Sequence, residues 1–166
     1  VVCDPSDDAF PQEIAVIPLP GHSFEMVGFR TPDSVVFLAD CVFSKETLAK
    51  YGIPLIYDVG AFLKTLDTVE AMKASMFVPA HAEATDDMTE LARYNRNKVL
   101  EIAESVVVWC EAARTCEDLL QAMFRRYQLR VDFEQYVLAG SAIRSVLSWL
   151  KETGKLSVKF EDCKLY

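Results

Sequence analysis

Only two histidines and five cysteines occur in the 166 residues, and lysine and arginine (17) are outnumbered by aspartate and glutamate (25). The cysteines, Cys3, Cys41, Cys110, Cys116 and Cys163, are odd in number and form no CxxC pair. That argues against a disulfide framework and a cysteine zinc cluster, and for a reducing cytoplasmic location. No segment reaches about 18 uninterrupted apolar residues, so no membrane span is expected. Residues 1–13 lack the basic-then-apolar order of a signal peptide, and the chain opens on Val1, so the native start is expected further upstream. Internal repeats and low-complexity stretches are missing too. What remains, 51% hydrophobic and 25% charged, is the composition of a water-soluble globular protein of one ordinary domain or two small ones.

The net charge of −8 is unevenly spread. Residues 1–113 carry 8 basic and 18 acidic side chains, a net of −10, and residues 114–166 carry 9 and 7, a net of +2. An acidic solvated surface beside a nearly neutral helical one accounts for this; two modules with different partners is the other reading.

Short β-branched or aromatic runs at 14–18, 24–30 and 34–39 predict strands, separated by turns at Pro20-Gly21 and Thr31-Pro32-Asp33. Helices are expected near 44–51 and, behind Asp58 as N-cap, over 59–73, with a further strand at 75–79 leading into His81. From Asp87 the pattern turns to long helices near 87–113, 116–128 (Thr115 as N-cap, Asp118 three residues on) and 133–153, then an alternating tail that reads as a hairpin. The fold class expected is α+β, with residues 1–86 as a sheet-and-helix unit. Residues 87–166 follow as a helical unit whose order of three helices and a hairpin is that of a winged helix.

Both histidines and one aspartate stand where apolar strands end: His22 in Pro20-Gly21-His22-Ser23, Asp40 closing Val35-Val36-Phe37-Leu38-Ala39-Asp40, and His81 closing Phe77-Val78-Pro79-Ala80-His81. Imidazole nitrogen and carboxylate oxygen suit zinc or a similar divalent ion, and ligands gathered from several strand ends are how a sheet builds such a centre. Singly, each has a plainer reading: a hydrogen-bonded histidine, or an aspartate capping a turn through Cys41-Val42-Phe43. Cys41 is either an extra thiolate ligand or, since neighbours on a strand point to opposite faces, a buried apolar residue; the second is favoured. Glu83 is either a partner for an imidazole N–H or a solvated loop acid.

Together, PGHS with His22, FLAD with Asp40 and VPAH with His81 resemble the last three metal-binding stretches of the metallo-β-lactamase superfamily of metallohydrolases, over about Ile14 to Ala84. The resemblance implies the second half of an αββα sandwich, in which His22 binds one metal, His81 a second, and Asp40 bridges them as ligand and orienter. It implies two divalent ions, zinc or else iron or manganese, in the full-length protein. Metal-activated hydrolysis of a thioester, ester, lactone or phosphodiester is the reaction implied. The family's HxHxDH loop cannot be present, because both histidines are already used, and Ala82 stands where a glycine is common. The chain alone is therefore expected to be a truncated piece, inactive by itself, with an apolar sheet face open to self-association or dimerisation.

The helical tail also resembles that of the β-lactamase-like 2 branch of the superfamily, some of whose members act on RNA. Its basic residues, Arg125, Arg126, Arg130, Arg144, Lys151, Lys155 and Lys159, are a modest set for a nucleic-acid face. Closing over the active-site mouth or mediating dimerisation is the expected role, with RNA or DNA contact as the alternative. A non-catalytic interaction or nucleic-acid-binding protein is the competing reading of the whole chain.

Overall fold

The computed structural model describes residues 10–165. Four strands, β1 (Ala15–Pro18), β2 (Val27–Arg30), β3 (Val35–Phe43) and β4 (Met76–His81), form one mixed sheet in the order β1-β2-β3-β4. The first two pairings are antiparallel and β3 with β4 is parallel. Parallel neighbours need a crossover, supplied here by α1 (Lys45–Tyr51) and α2 (Val59–Ala71). Ser44 and Asp58 cap them, Asp58 accepting from the Ala61 N–H at 2.8 Å. After His81 the chain folds back so that Phe77 and Thr85 exchange backbone hydrogen bonds at 2.7 and 3.0 Å, which covers the free edge of β4.

α3 (Thr89–Trp109), α4 (Cys116–Tyr127) and α5 (Phe133–Glu152) follow. The expected Thr115–Asp118 capping box is formed at the start of α4. The last hairpin pairs β5 (Phe160–Glu161) with β6 (Lys164–Leu165) through Asp162 and Cys163, both at positive φ as a tight two-residue turn demands. One hydrophobic core runs from Leu19 to Leu150, and α3 contributes to it by packing on both α2 and β3.

In the sheet, period-two alternation sorts the side chains. Val36, Leu38 and Phe77 point to the helix-covered face and are buried. Val16, Phe29, Phe37 and Val78, opposite one another across the strands, form a row on the other face, where Phe37 is 43% exposed.

The expectation that a strand ends at Asp40 is corrected here, because β3 runs on to Phe43. Its pairing with β4 slips twice, between Phe37 and Ala39 and between Ala39 and Phe43, and Ala39 adopts φ +47°, a left-handed conformation unfavourable for a residue with a Cβ. Asp40 therefore sits on a bulge inside the strand, and no turn runs through Cys41-Val42-Phe43. An even-numbered residue in unbroken alternation would join Val36 and Leu38 on the covered face. Instead Cys41 is buried and the Asp40 carboxylate remains accessible.

Candidate metal centre

His22 is placed by a turn fixed to the start of α2. Gly21 has φ +134°, and a Cβ there would lie 2.4 Å from the Phe62 Cα, so no other residue fits without moving the helix. The Gly21 carbonyl accepts from the Tyr57 and Asp58 N–H groups at 2.9 and 3.0 Å, and the buried Thr65 hydroxyl donates to the Pro20 carbonyl at 2.7 Å. β4 delivers His81 as its last residue, and the β3 bulge delivers Asp40 between them.

The three side chains come together. His22 Nε2 lies 3.3 Å from Asp40 Oδ2, and His81 Nε2 lies 3.4 Å from Asp40 Oδ1. Burial is graded across the group, with His22, Asp40 and His81 at 19%, 35% and 47% side-chain exposure. The Phe43 ring supports both imidazoles, stacking on His81 at 5.3 Å between centroids and 9° between planes, and lying 6.1 Å from His22 at a tilt.

His22 Nδ1 is 2.8 Å from the Leu55 carbonyl oxygen. A carbonyl only accepts, so Nδ1 carries the proton and donates. In the neutral ring the Nε2 lone pair then faces a carboxylate oxygen, which also only accepts. Such a pair persists only if Nε2 is protonated or a cation lies between the two. Both N···O separations exceed the roughly 2.7–2.9 Å of a charge-assisted hydrogen bond. They match the edge of about 3.4 Å between donors held about 2.0–2.1 Å from a tetrahedral zinc ion.

Each imidazole faces its own carboxylate oxygen, so the geometry is two half-sites sharing Asp40. Among the described residues, no group of three or more His, Cys, Asp or Glu side chains is placed to hold a metal ion. The donor types suit zinc, but each half-site offers two donors where a four-coordinate ion needs more. Residues outside this cluster would have to complete either position.

Cys41 does not join the cluster. Its thiol is buried on the covered face and burial, reinforced by the neighbouring Asp40 charge, pushes its pKa up to about 12. Glu83 is exposed and lines a separate hollow with Ser44 and Glu90, while the outer partner of His22 is the Leu55 carbonyl.

One positioning residue escaped the sequence reading. Asn95, fully buried on α3, accepts from the Phe43 N–H at 3.0 Å and donates to the Phe43 and Leu91 carbonyls at 2.8 and 2.9 Å. It fixes the strand end that carries the ring beneath both histidines. Its signal was available, as a polar residue on the apolar stripe Ala92, Asn95, Val99, Ile102 and Val106.

In the helical tail, Arg130 pairs with Asp132 at 3.0 Å, Arg144 with Glu117 at 3.5 Å and Lys159 with Glu161 at 2.8 Å. Three of the seven basic residues are thus committed to local acids.

Two solved structures share this architecture. A metallo-beta-lactamase family protein from Thermus thermophilus superposes with a TM-score of 0.71 at 17% identity, over 92% of this chain and 48% of its own. A beta-lactamase domain protein from Burkholderia ambifaria superposes with a TM-score of 0.74 at 19% identity, over 99% of this chain and 51% of its own. The fold is that of metallo-β-lactamase proteins. The chain spans about half the length of both structures. No protein-family model matches the sequence, and no curated protein matches it. Within the metallo-β-lactamase fold, five helices and a mixed sheet bring His22, Asp40 and His81 to one end of β3 and β4. No helix among the described residues is long and apolar enough to cross a membrane.

Proposed function

We propose that this chain is the part of a metal-dependent hydrolase of the metallo-β-lactamase superfamily that carries His22 and His81 as ligands to two separate ions and Asp40 as the carboxylate shared between them. The observation that carries this reading is His22: with Nδ1 donating to Leu55, its Nε2 lone pair faces Asp40 at 3.3 Å, an arrangement a divalent cation satisfies. Zinc is the ion that the two imidazoles and the carboxylate suit best.

When bound, such ions supply Lewis acidity and lower the pKa of a hydrolytic water. Asp40 holds the two half-sites at one spacing. The Leu55 carbonyl fixes the His22 tautomer, and Phe43, held by Asn95, fixes the plane of His81. The substrate class is a thioester, ester, lactone or phosphodiester. Full activity requires further ligands, so the chain is expected to be inactive alone; it spans about half the length of its structural neighbours. In this reading α3 to α5 and the hairpin form a winged-helix-like module, supported by their order, and the apolar row on the open sheet face is where a second layer or a second copy packs. The free thiols of Cys41, Cys110, Cys116 and Cys163 suit a reducing cytoplasm.

The test is zinc titration of this chain and of Asp40→Ala by calorimetry, with elemental assay of both. Wild type is expected to take up zinc, with affinity falling more than about 100-fold in the variant, beyond the loss typical of an outer partner. Equal uptake by the two proteins would remove Asp40 from the metal centre and the reading with it.

A further inference from the structure

A cavity of about 390 Å³ opens beside the two imidazoles, within the size range of small-ligand sites. His22 and His81 form part of its wall, so a group seated in it lies against the Asp40 cluster. The remaining wall is mostly hydrocarbon: Phe43, Leu48, Ile53 and Leu55 from the sheet unit and Leu138 from α5. Among the described residues Lys50 is the only lysine or arginine lining it, and its ammonium lies 4.7 Å from the centroid of the Tyr51 ring.

The α5 side of this wall is held in place. Gln135 is buried and its amide donates to the Tyr51 carbonyl at 2.8 Å, tying the first turn of α5 to the end of α1. Leu138, one turn further along, is 38% exposed and forms the rim. A polyanionic strand needs several cations along its path, whereas a single lysine and hydrocarbon favour an uncharged chain.

We propose that this cavity takes the apolar acyl group of an ester or thioester, with its carbonyl carbon towards Asp40 and the imidazoles. The inference deepens the hydrolase reading and rests on it, choosing acyl over phosphoryl transfer. In the reaction a water oxygen bonds to the acyl carbon and the C–S or C–O bond breaks. The carboxylic acid is released, and the thiol or alcohol departs with the water's other proton.

The experiment is calorimetric titration of the zinc-treated chain with acetate, butyrate, hexanoate and octanoate, the acid products of such a reaction, and with the dinucleotide UpU. Zinc content is assayed on the same samples. Affinity is expected to rise about fourfold with each added methylene until the cavity is filled. In Leu138→Gln, whose side chain is partly exposed and whose melting temperature serves as the folding control, that slope should flatten. Affinity independent of chain length, or UpU binding tighter than octanoate, would overturn the acyl assignment while leaving the metal reading to its own zinc result. A chain-length slope in protein that holds no zinc would instead keep the acyl cavity and defeat the metal centre.

Discussion

The two faces of the four-stranded sheet are both apolar, valine and phenylalanine occurring on each, and have different fates. On one face Val36, Leu38 and Phe77 are buried under α2 and α3; on the other Val16, Phe29, Phe37 and Val78 form an apolar row that no helix among the described residues covers, and Phe37 is 43% exposed. Hydrophobicity alone does not tell the faces apart, because both alternate sets are apolar. The difference is made by the crossover from β3 to β4, whose helices can lie on only one side of the sheet. At Ala39 the bulge breaks the alternation, and there the chain moves from scaffold to chemistry: Cys41 turns inward and Asp40 stays open to His22 and His81.

The sharpest way to break this contrast is to empty the covered face. Leu38→Ala, at a fully buried position, should destabilise the protein by about 2–5 kcal/mol by lost transfer energy and a residual cavity, read from urea unfolding. A loss under 1 kcal/mol would mean that the covered face is not the core it looks to be.

Next in size is the junction between core and site. Asn95→Leu leaves the Phe43 N–H and C=O buried without partners, at about 1–3 kcal/mol. Because Phe43 stacks on His81, the His81 ring resonances in NMR should also shift, which a remote core defect would not cause.

A smaller effect of opposite sign is expected at the bulge. Ala39→Gly relieves a left-handed residue at φ +47° and should stabilise by about 0.5 kcal/mol, part of the relief being offset by the added entropy of the unfolded chain. Destabilisation beyond 1 kcal/mol would mean that the Ala39 methyl packs well enough to outweigh the strain.

The smallest change in stability belongs to the open face. Phe37→Ser should alter unfolding by no more than about 0.5 kcal/mol, as for a surface substitution, and should reduce concentration-dependent association in sedimentation. A stability loss like that of Leu38→Ala would show that the Phe37 ring is as well packed as the core.

Much of this molecule was legible from residue order because the signals are local. The caps at Asp58 and Thr115, the β-branched and aromatic run that becomes β3, and the three long helices each depend on neighbours a few positions away. The donor types at His22, Asp40 and His81 were likewise chosen by chemistry visible in the sequence, and a buried Cys41 was expected, but its inward turn comes from the bulge at Ala39. The length of β3 was misjudged, since an aspartate after an apolar run reads as a stop, and only pairing with β4 carries the strand across it to Phe43.

What the sequence by itself determined, then, is the set of elements and the kinds of atom available for binding, because propensity, capping and donor chemistry are properties of short segments. Tertiary structure alone decided that Asp40 lies between two imidazoles, each against a different oxygen, that Leu55 fixes the His22 tautomer, and that Asn95 anchors Phe43 from 52 residues away. These contacts join positions remote in the chain, and their geometry follows from a strand slip and a helix packing that no local pattern encodes.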